Sequence, residues 1–201
     1  VTGPDDKVLI TTPSYGSFKH VTLDNKRTLV TTELKCTDGV FSLDFDDFAA
    51  KAADPAVRLI IWCNPHNPTG HMWTEEELKK VADIVRKNNL WIVSDEIHCD
   101  LIRSGRKHIP LAKAMPDYDR LVTCMAPSKT FNIAGLQFSN IIIRSEELRC
   151  TYRKNDRIGQ EVNPLIGGTA GVNNVSINGI EGVLSVEAEA DRYSSYSYYY
   201  F

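Results

Sequence analysis

The sequence lacks the features that mark membrane, secreted and nucleic-acid-binding proteins. No apolar run approaches the roughly 20 residues of a membrane-spanning helix, and the first residues do not form a signal peptide. There is no block of basic residues, and the formal net charge is -3. A membrane and a nucleic acid are therefore poor partner hypotheses. An initiator methionine is also absent, so we expect the chain to begin inside a longer protein.

Cysteine is scattered, and its spacing argues against two kinds of site. The five cysteines include no C-x-x-C pair, which argues against zinc, and their odd number argues against a disulfide framework. Three of them lie near predicted strand ends and are expected to be small buried hydrophobic residues: Cys63, Cys99 and Cys124. Unpaired thiols suit a reducing compartment, so the sequence predicts a cytoplasmic protein without a metal site.

What remains is an ordinary globular composition, 42% hydrophobic and 24% charged in 201 residues, with ample length for one core. Three apolar runs interpreted as buried strands are separated by helical segments: Leu59 to Trp62, Leu90 to Val93 and Leu121 to Met125. This alternation predicts an α/β fold with a mostly parallel sheet flanked by helices. Each run is followed by a polar cluster, at the carboxyl end of a strand where open α/β sheets bind ligands.

The cluster after the third run contains Lys129 within Ala-Pro-Ser-Lys-Thr-Phe-Asn-Ile-Ala-Gly-Leu. No charged residue lies within several positions of this lysine, and small or apolar residues flank it. Loss of hydration would lower its pKa and favour the neutral amine that Schiff-base chemistry requires. The alternative is a lysine at a strand end whose ammonium group reaches water.

The other two clusters contain Asn-Pro-His-Asn-Pro-Thr-Gly (64–70) and Asp-Glu-Ile-His (95–98). Together with Ser-Lys-Thr-Phe-Asn-Ile-Ala-Gly-Leu (128–136), they resemble the fold-type I pyridoxal 5′-phosphate (PLP) enzymes. Within this group the chain is similar to the MalY/PatB-type cystathionine β-lyases, or C-S lyases, of the class I/II aminotransferase superfamily. The resemblance runs from about residue 3 to about residue 152.

The resemblance implies a role for each residue of the predicted site. Lys129 would be the catalytic residue, bound to the PLP aldehyde and later accepting the substrate α-proton. Asp95 would keep the pyridine nitrogen protonated, which makes the ring a better electron sink. The implied cofactor-binding residues are Tyr15, which would stack on the ring, Asn67, which would donate to the phenolate oxygen, Asp95, His98, Ser128, which would reach the phosphate, and Lys129.

Neighbouring polar residues have less direct interpretations. Asn64 is expected to close its own turn, and His66 to be structural or adjacent to substrate rather than catalytic. Glu96 and Asp100 are expected to support the fold by pairing with basic groups. His108 lies in a basic loop that we interpret as solvated, with a substrate-facing role as the alternative.

The implied function is a PLP-dependent C-S β-lyase that cleaves cystathionine or cysteine-type conjugates to pyruvate, ammonia and a thiol. Many transaminases carry an arginine eight positions after the lysine, whereas this chain has Gln137, which favours the lyase branch. A PLP-dependent aminotransferase remains the first alternative, and a non-catalytic PLP-binding regulatory module the second. The implied partners are an amino-acid substrate and a second copy of the chain in a homodimer.

The resemblance also divides the chain. Residues 1–160 are expected to be a partial PLP-binding large domain. Residues 161–201 are expected to contain a helix of that domain leading towards a small domain, followed by a tyrosine-rich tail from which no function is inferred. The fold is expected to be incomplete at both ends, because the family's upstream glycine-rich segment and its C-terminal small domain have no counterpart in the sequence.

Overall fold

A computed structural model describes residues 1–134, 138–155, 172–177 and 180–186. Its elements follow in the order β1 (Lys7–Thr12), α1 (Gly16–Asp24), β2 (Thr28–Thr37), β3 (Val40–Leu43), α2 (Phe45–Ala52), β4 (Val57–Cys63), α3 (Glu75–Lys87), β5 (Trp91–Asp95), α4 (Leu111–Ala114), β6 (Leu121–Met125), β7 (Phe138–Ile143), α5 (Glu146–Asn155), β8 (Val172–Ile177) and β9 (Ile180–Val186). Within these stretches, no helix combines the length and the apolar character that crossing a membrane requires.

The strands form one mixed sheet with a parallel centre. Across the described residues the strand order is β3-β2-β1-β4-β5-β6-β7-β9-β8. The pairs from β2 to β6 are parallel, and the outer strands join them antiparallel. Helix α3 connects the parallel neighbours β4 and β5, as a crossover connection must. The predicted α/β fold, with a largely parallel sheet flanked by helices, is confirmed.

Each face of the sheet carries its own core, because successive side chains of a strand point to opposite faces. On one face, Trp62 packs with Phe48 of α2 and Leu78 of α3. On the other face, Cys63 and Cys124 pack with Phe18 of α1. The sheet is therefore covered by helices on both sides, and its buried strands need no alternating polar pattern.

Helix α3 illustrates how the local sequence sets an element. Thr74 accepts a hydrogen bond from the Glu77 amide, and the Glu77 carboxylate accepts one from the Thr74 amide, which completes a capping box. The apolar residues recur at helical spacing, and they are the buried ones: Leu78, Val81, Ala82 and Val85. The helix ends at Lys87 with Asn88 as its C-cap, and Asn89 takes a positive φ of 54°.

Strand β3 is not among the strands that the apolar runs of the sequence predicted. It pairs antiparallel with β2, and Thr37 lies opposite Val40. Between them, Asp38 and Gly39 both have positive φ, 52° and 77°. An Asp-Gly pair between two strand-forming runs is a recognised hairpin signal, because glycine takes this conformation without steric cost.

The segment 161–201 differs from expectation where it is described. Residues 172–177 and 180–186 form an antiparallel pair of strands joined to β7, whereas a helix was expected in this part of the chain. The reason lies in the sequence, because Asn-Gly at 178–179 separates two runs rich in valine and isoleucine, which favours a hairpin. The rest of this segment, including the tyrosine-rich tail, lies outside the described residues, so the division at residue 160 remains a prediction.

The register of the parallel strands brings their carboxyl ends level. Cys63 at the end of β4 pairs with Asp95 at the end of β5, and Asp95 pairs with Cys124 of β6. Because residues in register point to the same face, Asp95 lies on the sheet face whose core includes both cysteines. The three predicted polar clusters therefore leave the sheet side by side.

Candidate active site

The three loops are joined where they leave the sheet. The backbone amide of Asn64 donates to the backbone carbonyl of Asp95 at 2.9 Å, and the backbone amide of Glu96 donates to the carbonyl of Cys124 at 2.8 Å. Farther out, Thr130 Oγ1 donates to Asp100 Oδ2 at 2.9 Å. The loop that carries Lys129 is thus held beside the loop that follows β5.

Asp95 is a buried carboxyl group, with 6% of its surface exposed. The Ile97 amide donates to its Oδ1 at 3.1 Å. Burial raises the pKa of Asp95 to about 6; the Glu96 charge also raises it, while the Ile97 hydrogen bond and the Lys129 charge oppose the change.

Lys129 itself is exposed, in contrast to the dry surroundings that the sequence predicted. The flanking residues are too small to cover a lysine side chain, and the one large neighbour, Phe131, is itself 67% exposed. Small neighbours were interpreted as an apolar environment, but here they leave the amine open to solvent. The expectation of a desolvated lysine is therefore wrong for the described residues.

His98 and Ser128 lie on the same two loops. His98 is half-buried, and burial lowers its pKa, with a further lowering from the Lys129 charge. Ser128 is also half-buried, and its carbonyl oxygen accepts a hydrogen bond from the Ile133 amide at 3.0 Å. Both residues lie on the two loops that the hydrogen bond between Thr130 and Asp100 joins, and their roles toward PLP remain predictions.

Tyr15 and Asn67 occupy the loops after β1 and β4. Tyr15 is half-buried at the start of α1, and its ring meets Phe18 edge to face at 5.9 Å between centroids. It packs against the core that includes Cys63 and Cys124, which is the sheet face of Asp95. Asn67 is half-buried. Its backbone amide donates to Cys63 Sγ at 3.3 Å, which holds the Asn67 loop against the end of β4.

Asn64 and His66 are more deeply buried than their loop position suggests. The prediction that Asn64 closes its own turn is wrong, because its side-chain amide donates to the Ile109 carbonyl at 2.9 Å. It thereby ties this loop to the segment before α4. His66 lies in the interior, with 2% of its surface exposed, between the hydroxyl groups of Thr11 and Thr69.

Glu96 forms a buried polar cluster beside Asp95. It accepts hydrogen bonds from Ser94 Oγ at 2.9 Å and the Leu111 amide at 3.0 Å, and its Oε2 lies 2.6 Å from His108 Nε2. Pairing of Glu96 with a basic group was predicted. The partner was not, because the loop containing His108 was interpreted as solvated. Asp100 differs from expectation as well, since it accepts from Thr130 rather than pairing with a base.

Comparison with known proteins supports this reading of the motifs. The family model for aminotransferase class I and II matches residues 1–161. The chain is similar to cystathionine beta-lyase PatB of Bacillus subtilis (strain 168), with 40% identity over 185 residues, covering 92% of this chain and 46% of that protein. It is also similar to Protein MalY of Escherichia coli (strain K12), with 35% identity over 146 residues, covering 72% of this chain and 37% of that protein.

A solved structure gives the same picture. The PLP-bound C-S lyase from Staphylococcus hominis matches with 50% sequence identity and a TM-score of 0.75, covering 77% of this chain and 40% of that chain. The chain thus spans less than half the length of each of these relatives.

Proposed function

The chain belongs to the aminotransferase class I and II family, and we propose that it forms the PLP-binding part of a C-S β-lyase. The proposed substrates are cystathionine or cysteine-type conjugates, which water and β-elimination convert to pyruvate, ammonia and a thiol. The observation that carries the proposal is the buried Asp95 carboxyl group, which lies in register between β4 and β6, next to the loop that carries Lys129.

The residues of the site fit PLP. Among the described contacts, the Asp95 side chain accepts one hydrogen bond, from a backbone amide, and its burial favours the protonated acid. A protonated pyridine nitrogen would supply the opposite charge that keeps this group a carboxylate. Tyr15 lies on the same sheet face, where its ring is suited to stacking on a flat ring.

Three further residues would complete the contacts with PLP. Asn67 would donate its side-chain amide to the phenolate oxygen, with His98 nearby. The Ser128 hydroxyl would donate to the phosphate. When bound, PLP supplies an aldehyde that condenses with amines and a ring that withdraws electrons from the substrate α-carbon.

The chain's own residues then divide the proton transfers. Asp95 would hold the proton of a bound ring nitrogen in place. Lys129 Nζ would accept the proton of the substrate α-carbon as a general base. Its exposure is compatible with this role, because an open lysine is accessible to both the cofactor and the substrate.

Product analysis separates this function from its alternatives. A lyase forms pyruvate and homocysteine from cystathionine without a second substrate, whereas an aminotransferase requires a 2-oxo acid acceptor and releases no thiol. A regulatory module would bind PLP but would catalyse neither thiol release from cystathionine nor amino transfer to a 2-oxo acid. We expect thiol release that depends on added PLP and is lost in Lys129→Ala. The exposed lysine at the end of α3 supplies the matched control, Lys87→Ala, which we expect to retain the activity.

We also propose that the working protein is a cytoplasmic homodimer. Two large apolar side chains near the site are exposed, Leu101 at 56% and Phe131 at 67%, which suits contact with a second subunit. All five cysteines are free thiols, as a reducing compartment favours. Sedimentation velocity over a range of concentrations tests the dimer, and a monomer at all concentrations, with PLP bound, would contradict it.

A further inference from the structure

His66 connects two loops that are far apart in sequence. Its Nε2 lies 3.0 Å from Thr11 Oγ1 at the end of β1, and its Nδ1 lies 2.8 Å from Thr69 Oγ1 in the Asn-Pro-Thr-Gly turn. Both ring nitrogens are therefore engaged, one with each loop. The ring also meets the edge of Trp73 at 5.9 Å between centroids, so it has little freedom to rotate.

The connection consists of neutral groups. Burial and, to a smaller extent, the charge of His71 lower the pKa of His66 to about 4, so the imidazole is uncharged near pH 7. A neutral imidazole has one donor and one acceptor nitrogen, and each threonine hydroxyl can supply the complementary role. The Thr69 hydroxyl is fixed in addition by the His71 amide, which donates to it at 3.2 Å.

The two ends of this connection lie next to residues of the proposed cofactor site. Thr11 stands four positions before Tyr15, and Thr69 stands two positions after Asn67. We propose that His66 is a positioning residue that fixes the loop of Tyr15 relative to the loop of Asn67. It thereby sets the distance between the contacts that Tyr15 and Asn67 make with PLP, an inference that rests on the proposed function. It does not touch the reacting atoms, and it acts through the two threonines.

The alternative is that His66 merely fills space in the core. The two roles differ in how they respond to loss of a hydroxyl group, because Thr→Val keeps the volume and removes the hydrogen bond. A connection that is broken at either end has lost its function. Thr11→Val, Thr69→Val and the double variant are therefore expected to have the same effect, whereas independent packing contributions would add.

The chain supplies a matched control in Thr32, which lies opposite Thr11 in the neighbouring strand. Thr32 is fully buried, and its hydroxyl has no hydrogen-bond partner among the described residues. Thr32→Val therefore makes the same chemical change in the same part of the sheet without breaking the connection.

The first measurement is the affinity for PLP, followed through the absorption of the bound cofactor. We expect Thr11→Val, Thr69→Val and the double variant each to raise the dissociation constant about tenfold, to shift the pH at which the visible band changes, and to match one another. Thr32→Val should leave both quantities unchanged. Unaltered binding and spectra in both single variants, or effects that add in the double variant, would overturn the proposal.

The second measurement needs no cofactor. Amide hydrogen exchange in the peptides covering 12–18 and 64–71 is expected to accelerate in both peptides when either threonine is replaced, with global stability corrected for by urea unfolding. Acceleration confined to the peptide that contains the substitution would refute the coupling of the loops. If both peptides accelerate in each variant but the wild-type chain shows no PLP absorption, the proposed function fails while the coupling of the two loops through His66 stands.

Discussion

Replacing Asp95 with asparagine should stabilise the cofactor-free chain at neutral pH, although it removes the group that PLP needs. The folded-state pKa of Asp95 lies at about 6, above the ordinary value of 3.8. At 1.36 kcal/mol for each pH unit, the buried carboxylate costs about 3 kcal/mol once both states are ionised. Asparagine keeps an oxygen for the Ile97 amide and carries no charge, so it avoids this cost.

The direction in which stability changes with pH follows from the raised pKa of Asp95. Between about pH 4 and pH 6 the folded chain holds a proton that the unfolded chain has lost. The free energy of unfolding of the wild type therefore falls as pH rises through this window, and the penalty is constant above it. Relative to the wild type, Asp95→Asn should gain up to about 3 kcal/mol between pH 4 and pH 7.

Urea unfolding followed by tryptophan fluorescence measures this difference at a series of pH values. Asp83→Asn, an exposed position on α3, is the control for exchanging a carboxylate for an amide. Above pH 6, adding PLP should make the wild type more stable than Asp95→Asn. A protonated ring nitrogen stabilises the wild-type carboxylate, and the variant has no carboxylate at this position. A stability difference that does not change between pH 4 and pH 7 would show that Asp95 is not the desolvated acid described above.

Three further substitutions test the surrounding structure. Glu96→Gln, which removes the Glu96 charge and keeps the shape of the side chain, should cost about 2 kcal/mol in urea unfolding. It should also lower the pKa of Asp95, followed through its carboxyl resonance, and an unchanged pKa would contradict the assigned influence of Glu96. The folded-state pKa of His66 is about 4, against an ordinary value of 6.5. The free energy of unfolding of the wild type, relative to that of His66→Asn, should therefore fall by about 3 kcal/mol from pH 7 to pH 4. A difference between the two proteins that does not change with pH would contradict a neutral buried ring. Thr74→Ala removes the cap of α3 and should cost about 1 kcal/mol, whereas Thr37→Ala, at a strand end, should leave the helical circular dichroism unchanged; equal losses of helix would contradict the capping role.

The sequence predicted the parts of the fold whose signal is local. The runs ending at Cys63, Val93 and Met125 are apolar because their strands are buried on both faces, and Thr74 with Glu77 marks a helix start by itself. Helix α1 was missed because its sequence is largely polar and buries only three residues: Ser17, Phe18 and Thr22. Strand β3 was missed although Asp38-Gly39 was available as a turn signal.

For the candidate site, too, local motifs predicted the positions of the residues but not their environments. Motif order placed Asp95 and the Lys129 loop at neighbouring strand ends, since parallel strands bring their carboxyl ends together. The environment of each group did not follow, because burial depends on residues distant in sequence. Small neighbours suggested that Lys129 is dry, and it is exposed. The partners of His66 and Glu96 belong to other segments, and only the folded chain reveals them.

The most direct test of the central claim is to identify the lysine that binds PLP. The chain is incubated with PLP, reduced with borohydride and digested, and the modified peptide is identified by mass spectrometry. We expect a pyridoxyl group on Lys129, which is lost in Lys129→Ala and kept in Lys87→Ala. A pyridoxyl group on another lysine at equal occupancy, or no stable modification of the wild type, would contradict it.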